Sequence, residues 1–131
     1  MKIIYAFLAA AVTFTVLDYI WLAHIMKKFY LDSLSHLTTI RDGSLVINFP
    51  AAVVFYVLAL FTAYWFVVRD ATSIQGAFLS GALLGFCMYA FYDFTNLATL
   101  KDYPVALALV DTAWGTFLVA WVSAVMFFGL N

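Results

Sequence analysis

Long apolar runs, separated by short polar breaks, dominate the hydrophobic pattern of this chain. Each run is longer than the ~20 residues that an α-helix needs to cross a ~30 Å hydrocarbon core. Because unpaired backbone groups are costly in lipid, such runs favour helices. The pattern predicts an all-α integral membrane protein, a four-transmembrane-helix bundle forming a single domain over residues 1–131. The predicted helices span about residues 3–25, 45–68, 74–99 and 104–128.

The breaks carry the turn residues and most of the charges. Pro104 opens the fourth run, where the first helical turn tolerates proline, whereas Pro50 falls inside the second run and favours a kink there. In the long break of residues 27–44, Leu31, Leu34 and Leu37 recur at a near-helical spacing. This break has two interpretations: a short interfacial helix between helices one and two, or a solvated loop.

Composition agrees with a membrane protein. The chain is 67% hydrophobic and 10% charged, whereas soluble domains are roughly 45–50% apolar and about 25% charged. The net charge of −1 provides no basic field for nucleic acid. We therefore expect the lipid bilayer as the surroundings of the chain and no nucleic-acid partner.

The basic residues predict an orientation. Four spans place both termini on one side, together with Lys2 and Arg69, and place loops 27–44 and 100–103 on the other. Those two loops carry the remaining four basic residues, Lys27, Lys28, Arg41 and Lys101. The positive-inside rule therefore favours loops 27–44 and 100–103 as cytoplasmic.

Three aspartates lie inside the predicted helices, although an ionised carboxylate costs several kcal/mol in hydrocarbon. Asp18 precedes Lys27 by nine residues, Asp93 precedes Lys101 by eight, and Asp111 follows Pro104 by seven. At a rise of 1.5 Å per residue, all three lie roughly 10–14 Å from the same membrane face. We expect their carboxylates to share one pocket that opens toward loops 27–44 and 100–103.

Helical phase adds polar neighbours to these acids. At 100° per residue, one stripe of helix three combines two glycines with a run of polar residues. Gly81 and Gly85 form a GxxxG motif, which favours close contact with another helix of the chain or, alternatively, with a second copy. Helices one and four each contain a D-x-x-W pattern, which predicts an indole beside each buried carboxylate. The candidate ligand- or ion-binding residues are Asp18, Trp21, Tyr89, Tyr92, Asp93, Asn96, Thr99, Asp111 and Trp114.

No lysine or arginine lies at the depth of the three acids, so the chain does not balance their charge with its own cations. Two outcomes follow: the carboxyls share protons in a hydrated pocket, or a positive group enters. Asp18, Asp93 and Asp111 are hard oxygen ligands that suit Mg²⁺ or Ca²⁺ better than zinc. A metal bound by these three residues is therefore one of the alternatives.

The motifs resemble those of a family of bacterial predicted membrane proteins called domain of unknown function 2177. The resemblance covers nearly the whole chain. It is carried by Leu17-Asp18-x-x-Trp21-Leu22, Phe55-Tyr56, Tyr92-Asp93-x-Thr95-Asn96-x-Ala98-Thr99 and Asp111-x-x-Trp114-Gly115. It implies a small helical protein integral to the bacterial inner (cytoplasmic) membrane, and it implies no established reaction.

Three functions fit these observations. The first is a pocket that binds or transports a proton, a cation or a small polar or amphipathic solute, with a homodimer enclosing the pathway. The GxxxG face or the outer face of helix two would supply the dimer contact. The second is an intramembrane enzyme that uses aspartate acid–base or Mg-assisted chemistry on a lipid or isoprenoid-like substrate. The third is a non-catalytic receptor for a lipid or a partner helix. The sequence ranks the binding pocket first.

Overall fold

Four long helices form the chain, with one short helix and a small hairpin between the first two. The computed structural model describes residues 1–131. Four of its helices are long and apolar enough to cross a membrane. The elements, in chain order, are α1 (Lys2–Ile20, continued by a π-helical turn at Trp21–Ile25), α2 (Lys27–Leu34), β1 (Ile40–Arg41), β2 (Ser44–Leu45), α3 (Phe49–Ala63, continued by a π-helical turn at Tyr64–Val68), α4 (Ile74–Thr99) and α5 (Val105–Leu130).

The predicted spans are confirmed, with one shifted start. α3 begins at Phe49 because the side chain of Asn48 caps it, accepting a hydrogen bond from the Ala51 N–H at 3.2 Å. Pro50 therefore lies in the first helical turn, where no intrahelical N–H donor is needed. The predicted kink at Pro50 is wrong, because the second helix begins later than its apolar run.

The break between the first two spans contains a short helix, but not the one that the leucine spacing predicted. α2 ends at Leu34, and Leu37 lies outside it with 41% of its surface exposed. The one buried residue of α2 is Tyr30. The hairpin that follows turns at Asp42 and Gly43, both with positive φ (50° and 69°), as a two-residue turn of this kind requires.

Two contacts establish which ends of the bundle lie together. The His36 ring nitrogen Nε2 lies 3.1 Å from the Asp102 carbonyl oxygen, which joins loops 27–44 and 100–103. At the opposite end, the Lys2 ammonium donates to the Asn131 carbonyl at 3.2 Å, which joins the two termini. The arrangement expected for four spans, with both termini at one end, is confirmed.

α5 is the central helix, and α4 packs closely along it. The approach depends on glycine: a Cβ on Gly81 would lie 2.6 Å from Ser123 Oγ, and one on Gly85 would overlap the Gly115 carbonyl oxygen. The GxxxG face is thus buried within the chain, so the expectation that it supplies a dimer contact is wrong. The reason is that its small residues are matched by Gly115 and Ser123 on α5.

α3 is attached to the bundle mainly through its C-terminal end, where the Tyr64–Val68 turn contacts α5 and α4. Ring contacts between Phe7 and Tyr64, and between Phe14 and Tyr56, hold it against α1. Before Tyr56, toward the N-terminus of α3, the residues are almost all exposed. The space between α1 and α3 at this end is where the cavity described below lies.

Candidate functional site

The carboxylate of Asp18 lies near the end of α1, against α3 and α5. It is only 9% exposed. The Tyr56 hydroxyl donates to its Oδ2 at 2.8 Å, and the Trp114 indole N–H donates to its Oδ1 at 3.0 Å. No cation contacts it. The one ion pair in the protein is Arg69–Asp70, at the opposite end of the bundle. Neutral donors alone therefore hold Asp18.

Asp93 and Asp111 form a second acidic group, on the facing sides of α4 and α5. Their carboxyls are close enough for a hydrogen bond between them when one carries a proton. Asp93 is fully buried and accepts from the Tyr103 hydroxyl at 2.8 Å and from the Thr112 hydroxyl at 3.4 Å. Asp111 accepts from the Tyr30 hydroxyl. Two adjacent carboxyls without a cation suit proton sharing.

Aromatic side chains connect the two acidic groups. The rings of Trp21 and Trp114 stack in parallel, with centroids 4.3 Å apart and planes within 1°. Trp114 donates to Asp18, and Trp21 donates to the Tyr30 oxygen at 3.2 Å, which in turn donates to Asp111. The D-x-x-W pattern predicts a Trp beside the Asp of its own helix. The pairing is instead crossed: Trp114 of α5 contacts Asp18 of α1, and Trp21 is linked to Asp111 of α5 only through the Tyr30 hydroxyl.

A cavity of about 600 Å³ opens beside Asp18, between α1, α2, the hairpin and α3. Asp18, Tyr30 and Tyr56 contribute polar groups to its wall. His24 and Lys27 also line it, on the part of α1 and α2 nearer the loop end. The rest of the wall is largely apolar. A volume of this size suits a small organic molecule, since ligand pockets measure roughly 300–1,000 Å³.

Only one of the three intramembrane acids reaches this cavity. Asp93 and Asp111 are not among its lining residues, because Tyr30 of α2 lies between the cavity and Asp111. The expectation of one pocket shared by all three carboxylates is therefore wrong for this cavity. In addition, no three acidic, histidine or cysteine side chains lie together in a group that could hold one metal ion. The three aspartates do not form a single ligand set.

The other predicted residues divide between the interior and the surface. The ring of Tyr89 lies against Gly115 and meets Phe55 edge-on, and Asn96 is partly buried beside the Tyr103 hydroxyl. Tyr92 is 62% exposed on the outer face of α4. Thr99 is exposed, and its hydroxyl donates to the Thr95 carbonyl of its own helix at 2.8 Å.

Tyr92 and Thr99 therefore lie outside the buried group around Asp93, because the inward-facing stripe of α4 is narrower than helical phase alone suggested. α4 has one principal partner, α5, and only the face around Asp93 meets it.

Four residues that hold the acids in place were missed by the sequence analysis: Tyr30, Tyr56, Tyr103 and Thr112. All four donate hydroxyl hydrogen bonds to an intramembrane carboxylate. Tyr30 and Tyr103 lie in loops 27–44 and 100–103, where an aromatic residue is usually interpreted as an interface anchor. Tyr56 lies in a motif that carried the family resemblance, and Thr112 stands at a free position of another. A search for partners of the acids that includes neutral hydroxyl donors as well as cations would have found them.

Burial affects both loop tyrosines. Burial, followed by the nearby charge of Asp111, raises the pKa of Tyr30 above its ordinary value. Burial and the hydrogen bond to Asp93 raise the pKa of Tyr103 in the same direction. A raised tyrosine pKa keeps the hydroxyl protonated to higher pH. Both hydroxyls therefore remain donors to their carboxylates across the physiological pH range.

Replacing Tyr30 by phenylalanine should loosen α2. The hydroxyl is the acceptor for Trp21 and the donor to Asp111, so its loss leaves both groups without these partners. We expect faster hydrogen–deuterium exchange in residues 27–34, while exchange in the middle of α5 stays unchanged. Tyr19→Phe, at an exposed tyrosine of α1, is the control. Equal exchange in both variants would contradict a tethering role for the Tyr30 hydroxyl.

Comparison with known proteins gives one family match. The family described as "Predicted membrane protein (DUF2177)" matches the chain over residues 3–128. Neither the curated proteins nor the solved structures give a match.

Proposed function

Because the chain belongs to this family of predicted membrane proteins, whose description names no activity, we propose from its own geometry that it binds a small amphipathic solute in the cavity beside Asp18. The polar or cationic end of the solute contacts the Asp18 carboxylate, and its apolar part lies along the cavity wall. The observation that carries this proposal is a buried, cation-free carboxylate on the wall of a cavity of about 600 Å³.

The unoccupied acceptor positions of the Asp18 carboxylate support such a ligand. An ionised carboxylate offers about four acceptor positions, and Tyr56 and Trp114 occupy two of them. The remaining ones are available to a hydrogen-bond donor or to a cationic group in the cavity. Burial strengthens that interaction, since an ammonium and a carboxylate attract each other more in a medium of lower dielectric constant. Apolar side chains such as Leu22, Leu31 and Ile47 line the same space and suit the hydrocarbon part of a solute.

This geometry favours binding over intramembrane catalysis. The two carboxyls best arranged for acid–base chemistry are Asp93 and Asp111, and neither lines the cavity. A general acid or base must come within hydrogen-bonding reach of its substrate. In the orientation that the positive-inside rule favours, the cavity opens at the cytoplasmic end of the bundle. A carrier that loads its solute from the cytoplasmic leaflet has this arrangement.

Replacing Asp18 by asparagine should weaken the binding of octylammonium by about tenfold or more, because the charge-assisted hydrogen bond is lost. The quenching or enhancement of Trp21 and Trp114 fluorescence measures binding. The purified chain is used in a maltoside detergent with Trp65 and Trp121 replaced by phenylalanine. Asp70→Asn, at an exposed acid at the other end of the bundle, is the control and should bind as the parent does.

Two results would contradict the proposal. One is an affinity for octylammonium that is the same in the Asp18→Asn and Asp70→Asn variants. The other is the absence of any saturable fluorescence change in the parent protein.

A further inference from the structure

The cavity wall carries unpaired groups of opposite charge. Asp18 lies on α1 within the membrane-spanning part, and Lys27 lies nine residues further on, at the start of α2. Both line the cavity, yet no nitrogen–oxygen pair between them is within 4.0 Å, since Arg69–Asp70 is the one ion pair in the protein. The anion and the cation therefore line the same cavity without pairing with each other.

The order of these charges is fixed by the fold. Asp18 is buried and hydrogen-bonded to α3 and α5, whereas Lys27 is exposed at the end of the bundle where loops 27–44 and 100–103 meet. His24, three residues before Lys27, also lines the cavity and adds a second nitrogen donor or acceptor. A ligand that satisfies both ends must carry its positive group inward and its negative group toward the loops.

Resting on the proposed function, we infer that the solute is a zwitterion whose cationic group lies deeper in the membrane than its anionic group. The ammonium contacts Asp18, and the carboxylate, sulfonate or phosphate contacts Lys27. Apolar side chains at Leu45 and Ile47 continue the cavity wall to the surface, where Ile47 is 70% exposed. An alkyl chain attached to the ammonium leaves the cavity along this edge.

This charge order separates two chemical sources. In a phosphocholine or phosphoethanolamine lipid the phosphate is attached next to the hydrocarbon, and the ammonium points toward water. In an alkyl betaine the ammonium is attached to the hydrocarbon, and the carboxylate points toward water. The cavity matches the betaine order. An ordinary bilayer phospholipid of the same leaflet presents its two charges in the opposite sequence.

Two probes of equal chain length and zero net charge test the order directly: N-octyl-N,N-dimethylglycine and octylphosphocholine. Both are titrated below their micelle-forming concentrations into the full chain in maltoside, again with Trp65 and Trp121 replaced by phenylalanine and the Trp21 and Trp114 fluorescence as readout. We expect the betaine to bind at least about tenfold more tightly, because only it places each charge opposite its partner. Equal affinities, or tighter binding of octylphosphocholine, would overturn the inference.

Variants assign each charge to its partner. Lys27→Gln should weaken the betaine by about tenfold and should not weaken octyltrimethylammonium, which has no anionic group. Asp18→Asn should weaken both probes. Lys28→Gln, at a neighbouring lysine that does not line the cavity, should change neither. A Lys27→Gln protein that binds the betaine as the parent does would overturn the zwitterion assignment while leaving the Asp18 site intact.

Two further ligands distinguish the source of the zwitterion. Glycine betaine, which has the same charges without the octyl chain, should bind at least about tenfold more weakly because it buries little apolar area. Equal binding would overturn the assignment of an amphipathic ligand. Nanodiscs of phosphatidylethanolamine should not displace the octyl betaine, whereas displacement would overturn the charge order. If no alkyl cation binds at all, the proposed function itself fails, and the zwitterion inference falls with it.

Discussion

Replacing Gly85 by leucine should lower the free energy of unfolding by about 3 kcal/mol or more, since overpacking a close helix contact forces the backbones apart. A Cβ at this position would overlap the Gly115 carbonyl oxygen and would lie 2.8 Å from the Val119 Cβ. A backbone carbonyl cannot rotate away as a side chain can. α4 and α5 must therefore separate along their contact, and this contact also positions Asp93 opposite Asp111.

The measurement is a titration of the maltoside-solubilised protein with sodium dodecyl sulfate, followed by circular dichroism. Ser80→Leu is the matched control, because Ser80 lies on an exposed face of the same helix. It adds the same side chain without entering the α4–α5 contact. If the two variants unfold at the same mole fraction of dodecyl sulfate, the glycine contact is not essential.

Replacing Asp93 by alanine should lower the free energy of unfolding by about 2–4 kcal/mol, whereas asparagine at the same position should be tolerated. The carboxylate is fully buried and accepts the hydroxyl hydrogen bonds of Tyr103 and Thr112. Alanine leaves both hydroxyls without an acceptor and opens a small void. Asparagine keeps one acceptor oxygen, and its amide donates to Asp111 in place of a proton shared between the two acids.

The same dodecyl sulfate titration compares Asp93→Ala, Asp93→Asn and the parent protein. Tyr103→Phe provides a second reading, because it removes one donor and leaves the carboxylate in place. We expect its stability to lie between those of the parent and the alanine variant. An asparagine variant as unstable as the alanine variant would contradict the idea that a donor at position 93 substitutes for the shared proton.

Much of the fold follows from local pattern. Runs of apolar residues longer than a membrane crossing determined the four spans, because hydrocarbon excludes unpaired backbone groups. Only helix boundaries differ from the prediction. The start of α3, for example, depends on the Asn48 cap, a short-range hydrogen bond. The hairpin at Asp42-Gly43 was overlooked, although Asp-Gly is a strong local signal for such a turn.

The candidate site was only partly predictable. Asp18, Asp93 and Asp111 stood out because a carboxylate in an apolar helix is costly wherever it lies. The sequence did not show how the three would be divided, since that depends on which residues come from other helices. Tyr30 is the clearest case: it is distant in sequence from Asp111, yet it donates to that acid and lies between it and the cavity.

The sequence by itself therefore determined the number and type of helices, the end of the bundle that holds the acids, and the absence of a lysine or arginine at their depth. These properties follow from the free energy of transferring each residue into hydrocarbon, which depends on the residue and its position along a helix. The tertiary structure alone decided the crossed contacts of Trp21 and Trp114, the pairing of Asp93 with Asp111 and the separate cavity at Asp18. These depend on the rotation and spacing of neighbouring helices, and for α4 and α5 the close contacts at Gly85 and Gly115 set that spacing.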